Sequence, residues 1–141
     1  MKRIPSIKTA MTPFPYAVEP GAAVTKALEI MRDHGIHHLP VTDQGELAGM
    51  ISSRDIQLVK ARHDGADDLT VRDVMSEDIY TVDLSERLDS ALHRMAEHHL
   101  DSIVVTRKGK LAGIFTYVDA CAAFAEFLRE QVRRSGGDTA A

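Results

Sequence analysis

Two seven-residue stretches hold the side chains best placed for chemistry: Gly49-Met50-Ile51-Ser52-Ser53-Arg54-Asp55 and Gly113-Ile114-Phe115-Thr116-Tyr117-Val118-Asp119. In each, an apolar run ends on a hydroxyl residue, and an aspartate follows three positions later, where a helix is predicted to begin. One reading of this spacing is a capping box, Ser/Thr-x-x-Asp/Glu, worth about 1 kcal/mol to each helix. The other gives the same atoms to a ligand. A helix N-terminus with open N–H groups and a hydroxyl suits a phosphate, and a neighbouring carboxylate can accept both hydroxyls of a ribose. Strand, glycine, hydroxyl and aspartate together describe a nucleotide cradle.

Other chemistries have less support. Seven histidines (34, 37, 38, 63, 93, 98 and 99) raise the question of a metal. His34, His37 and His38 are close in sequence, and one zinc ion accepts three nitrogens. No Cys-x-x-Cys or His-Glu-x-x-His spacing accompanies them, however. His34 and His98 fall near helix C-termini, where a protonated imidazole complements the helix dipole. No metal site is expected. Cys121 falls with Phe124, Ala125, Leu128 and Val132 at helical spacing, which reads as packing rather than as a nucleophile. Gly-x-Ser-x-Gly, Walker A and Gly-x-Gly-x-x-Gly patterns are missing, and no catalytic residue is assigned.

The elements that position these stretches occur twice. Residues 11–55 align with 75–119 at an offset of 64 without a gap, with 14 identities in 45 positions. Met11/Met75, Tyr16/Tyr80, Met31/Met95, Gly49/Gly113 and Asp55/Asp119 are among them. Each unit reads β-α-β-β-α. An extended piece (Tyr16–Val18, Tyr80–Val82) leads to a helix whose apolar residues fall at i, i+3, i+4 and i+7. These are Val24, Ala27, Leu28, Met31 and Leu88, Ala91, Leu92, Met95. Ser85 is the expected N-cap of the second helix and Gly21 its weaker equivalent. Two strands follow, His38–Thr42 with Leu47–Ser52, and Ile103–Thr106 with Leu111–Thr116. They are joined by the turns Asp43-Gln44-Gly45 and Arg107-Lys108-Gly109, where glycine can take a positive φ. The last helix spans Ser53–Arg62 in one unit and Tyr117 to about Arg134 in the other. His63–Leu69 reads as a polar linker and Ser135–Ala141 as a disordered tail. Units of about 60 residues lie near the lower limit of independent stability, so the pair is expected to pack as one α/β (α+β) module.

Composition bounds the partners. The chain has 141 residues, a net charge of −4 and 44% apolar residues, a globular balance. The acidic charge argues against a general nucleic-acid binder, and no apolar run approaches the ~20 residues that span a bilayer. No secretory signal is visible at the N-terminus. A single cysteine fits a reducing cytoplasm.

Several motifs together resemble a tandem pair of CBS domains, named from cystathionine β-synthase. They are the openings Lys8–Thr12 and Arg72–Ser76, the run Gly35-Ile36-His37-His38-Leu39-Pro40-Val41, and both Gly-x-x-Ser/Thr-x-x-Asp segments. The resemblance covers residues 8–63 and 72–128, leaving 129–141 as a helix end and tail. It implies two pseudo-symmetric clefts for adenosine-containing ligands such as AMP, ADP or ATP. Carried over, Asp55 would take the ribose in the first cleft, with Ser52, Arg54, His37 and His38 near the phosphates and Met50, Tyr80 and Leu100 around adenine. The second would use Asp119, Thr116 and Val118, with Tyr16, Ile36 and Ile114 around the base and Asp101 and Ser102 near the phosphates. On that basis the first cleft is expected to prefer phosphorylated adenosine. The family also implies a homodimer, an energy-sensing regulatory role without catalysis, and an unidentified regulated protein. Two alternatives stay open: a metal- or redox-responsive stress protein, and a dimerisation or accessory module without nucleotide.

Overall fold

A computed structural model describes residues 3–13, 15–65 and 68–135. Of the predicted linker and tail, residues 66–67 and 136–141 lie outside the described residues. After a 3-10 turn at Ile7–Thr9 come β1 (Thr12–Pro13), α1 (Val24–His34), β2 (His38–Asp43), β3 (Glu46–Ser52) and α2 (Ser53–Arg62). The second half holds α3 (Val71–Val74), β4 (Thr81–Asp83), α4 (Leu88–His98), β5 (Ser102–Arg107), β6 (Lys110–Thr116) and α5 (Tyr117–Arg134). The repeat is therefore real in three dimensions, and the four predicted hairpin strands gain at most a residue at each end. Tyr80–Val82 becomes β4 one residue later, while Tyr16–Val18 forms only an isolated bridge at Val18.

Both hairpins are antiparallel and in equivalent register, His38 opposite Ser52 and Ser102 opposite Thr116. Their turns place two residues in the left-handed region. Gln44 (φ 51°) precedes Gly45 (φ 85°), and Lys108 (φ 52°) precedes Gly109 (φ 78°). That is the twist-matched geometry of a tight hairpin.

The first extended piece differs from its copy for a definable reason. In the second unit Val104 N–H donates to Tyr80 O and Leu84 N–H to Thr106 O, and β4 forms parallel to β5. The equivalent donors in the first unit would be residues 40 and 20, and both are proline. Proline has no N–H. Only the bridge of Val18 to Val41 survives.

Each unit is completed by the segment that leads into the other. Ile7 is fully buried among Val82, Ala91, Met95, Ile103, Val105 and Phe115, all of the second unit. Val71 is fully buried with Val18, Val24, Ala27, Met31, Leu39, Val41, Ile51 and Ile56 of the first. Likewise β1 pairs with β6, and Ser76 bridges to Met50 of β3. The crossing strands pass so close that a Cβ on Gly49 would stand 2.5 Å from Ser76 O, and one on Gly113 2.9 Å from Thr12 O. Glycine is required at both positions.

The same segments cap the helices. Val24 N–H donates to Leu69 O and Leu88 N–H to Pro5 O. Ser85 is thus not the N-cap of α4, which is Arg87. The Ser85 N–H and hydroxyl turn to Asp83 Oδ2 instead and hold that carboxyl below the usual aspartate range. Gly21 is displaced in the same way by Ala23. A third apolar cluster, Met50, Val104 and Ile114 with Leu47, Ile79 and Leu111, lies between the two hairpins.

Candidate functional site: two clefts between the units

A cleft opens where each hairpin runs into its final helix. In the first, Ser52 is the N-cap of α2: its Oγ accepts the Asp55 N–H at 3.1 Å, and Asp55 Oδ2 accepts the Ser52 N–H at 3.2 Å. In the second, Thr116 N–H donates to Asp119 Oδ2 at 2.9 Å. The capping reading therefore holds at both, and it fixes each half-buried carboxylate at a helix start, facing the cleft.

The two carboxylates are not equally engaged. Asp119 Oδ1 also accepts the Thr12 hydroxyl at 3.1 Å. The repeat-equivalent of Thr12 is Ser76, whose Oγ accepts the Asp78 N–H at 3.3 Å within its own turn. Asp55 has no such second hydroxyl partner among the described residues.

Fewer helix N–H groups remain open than the spacing predicted. Ser53 N–H donates to His37 O at 2.9 Å and Tyr117 N–H to Asp101 O at 3.1 Å. With the Asp55 N–H committed to Ser52, Arg54 supplies the open donor of the first turn of α2. Its side chain is exposed and, among the described residues, makes no ion pair.

The first cleft, about 370 Å³, gathers Met50, Ser52, Arg54, Asp55, Tyr80 and Leu100, where the sequence placed them. The second, about 500 Å³, gathers Tyr16, Ile36, Ile114, Thr116, Val118 and Asp119, again as expected. Both volumes fall in the range of small-molecule sites. Three other positions change sides. Asp101 and Ser102 line the first cleft rather than the second, and His37 lines the second rather than the first. His38 borders both.

The reason is the docking of the units. The starts of β2 and β5 meet between them, with His38 Nε2 3.4 Å from Asp101 Oδ2. The residues just before each strand therefore fall over the other unit's cleft. His37 Nδ1 lies 3.2 Å from Ser53 Oγ.

Sequence reasoning missed Leu58, Ser76, Asp78, Ile79 and Val104 in the first cleft, and Thr12, Pro13, Pro15, Gly35 and Tyr117 in the second. Thr12/Ser76 and Pro15/Ile79 are repeat-equivalent pairs directly upstream of the two tyrosines, and that position was the available signal. Tyr16 is stacked on His34 with centroids 3.7 Å apart, whereas Tyr80 sits 6.3 Å from His98 with the Arg94 guanidinium 5.8 Å over its ring. Met50 and Ile114, buried between the hairpins, form part of the two cleft linings.

An internal repeat, exchanged lead-in segments and two clefts between the units define a paired two-cleft module, and the family model for the CBS domain matches residues 6–61 and 71–126. The chain belongs to the CBS domain family. It is 31% identical over 115 residues to the CBS domain-containing protein YhcV of Bacillus subtilis, covering 81% of each. It also matches an inosine-5′-monophosphate dehydrogenase of Korarchaeum cryptofilum, 33% identical over 103 residues, 72% of this chain but only 21% of that enzyme. A Vibrio cholerae protein assigned to acetoin utilization (AcuB) superposes with TM-score 0.85 at 23% identity, covering 93% and 98% of the two chains. That likeness speaks for the fold alone. The CBS pair of MJ0100, solved with 5′-methylthioadenosine and S-adenosyl-L-methionine, has TM-score 0.80 at 25% identity over 88% and 98%. CBSX2, solved with AMP, has TM-score 0.74 at 25% identity over 87% and 98%. Among the described residues, no helix is long and apolar enough to cross a membrane.

Proposed function

We propose that the chain is a regulatory CBS pair that binds adenosine-containing ligands, AMP, ADP, ATP or a related adenosyl compound, in the clefts between its units. One observation carries the reading. Each cleft sets a carboxylate at a helix start opposite a tyrosine and an aliphatic residue, Asp55 with Tyr80 and Leu100, and Asp119 with Tyr16 and Ile36. A carboxylate suits a ribose diol, and the apolar pair suits a purine. The adenosine ligands of MJ0100 and CBSX2 support the same class.

The mechanism is a population shift. Met50 and Ile114 belong both to the cleft linings and to the cluster between the hairpins. A ligand seated on them has different affinities for different packings of the units, and only such a difference can move the equilibrium. No step of bond making is assigned. The output is a contact with a regulated protein in the cytoplasm, made by a homodimer of the chain.

Thermal unfolding with AMP, ADP, ATP, S-adenosylmethionine and zinc tests the reading. A true ligand at 100 times its Kd adds about 2.7 kcal/mol of stability. Stabilisation by zinc with none from any adenosine compound would replace this proposal with the metal-responsive alternative.

A further inference from the structure

The exchange of His37 and Asp101 between the clefts changes the charged and basic groups that line each one. The first cleft is lined by three aspartates, Asp55, whose Oδ2 accepts the Ser52 N–H, Asp78 and Asp101, against one arginine, Arg54. The second collects a single carboxylate, Asp119, already engaged by Thr12 and Thr116, together with His37 and His38. The residues on which the sequence-based preference rested are thereby exchanged between the clefts. That expectation put both histidines in the first cleft and Asp101 in the second.

We propose that the first cleft selects an adenosine-type nucleoside whose 5′ substituent is uncharged or cationic, a thioether or sulfonium nucleoside, and that Asp101 is the residue setting this selectivity. The inference rests on the nucleoside-binding reading above and specifies which member of the class the first cleft takes. Its apolar wall of Met50, Ile79, Tyr80 and Leu100 leaves the polar end formed by Arg54, His38, Asp101 and Ser102 for whatever the ribose carries.

Asp101 projects from the second unit with 64% of its side chain exposed, and the His38 imidazole lies 3.4 Å from its carboxylate. The His38 ring is only 10% exposed and borders both clefts, so one imidazole serves two sites. A polyphosphate here meets a carboxylate at short range, and like charges repel. A neutral thioether meets no such repulsion, and a sulfonium is attracted. Arg54 offsets one of the three negative charges and leaves the balance negative.

Calorimetry on the full chain with 5′-methylthioadenosine and ATP as probes tests this, in the natural sequence and in Asp101→Asn. Asparagine keeps an acceptor for His38, and the exposed position leaves the fold intact, checked by an unchanged unfolding midpoint. Asp101 lines the first cleft and not the second, and repeating the change in an Asp55→Ala background, where the first cleft lacks its carboxylate, separates an effect at that cleft from one relayed through His38 to the second. The natural protein is expected to bind 5′-methylthioadenosine there at least tenfold more tightly than ATP. Asp101→Asn should raise ATP affinity about fivefold to tenfold and move 5′-methylthioadenosine less than twofold. Asp101→His, which installs the first unit's residue, should raise ATP affinity at least as far. If both probes bind and their ratio is the same in all three proteins, the selectivity proposal is overturned while the nucleoside reading stands. If neither probe binds the natural protein, the nucleoside reading fails and takes the selectivity proposal with it.

Discussion

The Thr12 hydroxyl donates to Asp119 Oδ1 at 3.1 Å across 107 positions of sequence. It ties the strand that opens the chain to the carboxylate that closes the second cleft. On the proposed reading, a ribose at Asp119 would compete with Thr12, and one at Asp55 would meet no equivalent rival among the described residues. Thr12→Val keeps the shape and removes the donor. It should cost under about 1 kcal/mol, because the bond is exposed, and raise affinity at the second cleft about threefold for an uncharged nucleoside. Ser76→Ala should leave the first cleft unchanged. Calorimetry on the two variants separates the cases, and equal effects would count against the asymmetry.

Ile7 makes a second prediction. Residues this near a chain end are often dispensable, but this one is fully buried in the second unit's core. Ile7→Ala should destabilise by about 2–4 kcal/mol, as much as a central core truncation. Ile4→Ala, at a side chain 45% exposed, should cost under about 0.5 kcal/mol. Urea unfolding of both variants checks it. A negligible loss for Ile7→Ala would mean that the crossing segment does not hold the second core.

Most of the fold was legible because the repeat doubles every local signal. The start of helix α2 could be placed from Ser52 and Asp55 alone, and the hairpin glycines marked both turns. Three things were not legible, and each depends on contacts far apart in sequence. Ser85 has the right chemistry for a cap, but the Pro5 carbonyl arrives first at the Leu88 N–H. Ile36 was given to the second cleft and its neighbour His37 to the first, although one loop carries both to the same side. Which cleft a loop faces is set by how the units dock, and a periodicity within one unit holds no information on that. Cys121 was read as packing, yet it is exposed, because α5 buries none of its residues within the chain.

His99 supplies a third prediction. It ends α4 in the left-handed conformation, φ 54°, at the place where Gly35 ends α1 with φ 63°. A side chain there pays a steric cost that glycine avoids. Its side chain is exposed and, among the described residues, makes no hydrogen bond or ion pair that offsets the strain. His99→Gly should therefore stabilise the protein by about 0.5–1 kcal/mol, despite the greater freedom of glycine in the unfolded chain. Gly35→His should cost at least as much. A destabilised His99→Gly would show that the ring holds a contact that outweighs the strain.

The last prediction concerns α5, which runs to Arg134 where its counterpart stops at Arg62. Tyr117, Phe124, Phe127, Leu128 and Val132 stand 41–59% exposed along it. Phe124 and Phe127 stack on one another with centroids 6.4 Å apart. A contiguous stripe of this kind on a small chain calls for a cover, and the same stripe on a second copy is the simplest one, because a two-fold interface is self-complementary. The chain should therefore run in light scattering at about twice its 15.5 kDa at tens of micromolar. Phe124→Glu places a charge in the middle of the stripe, opposite its own copy across the axis. It should shift the mass to that of the single chain while leaving the unfolding of each core intact, since Phe124 packs in neither. A natural protein that scatters as a single chain at that concentration removes the homodimer, and α5 would then have to be covered by a different protein.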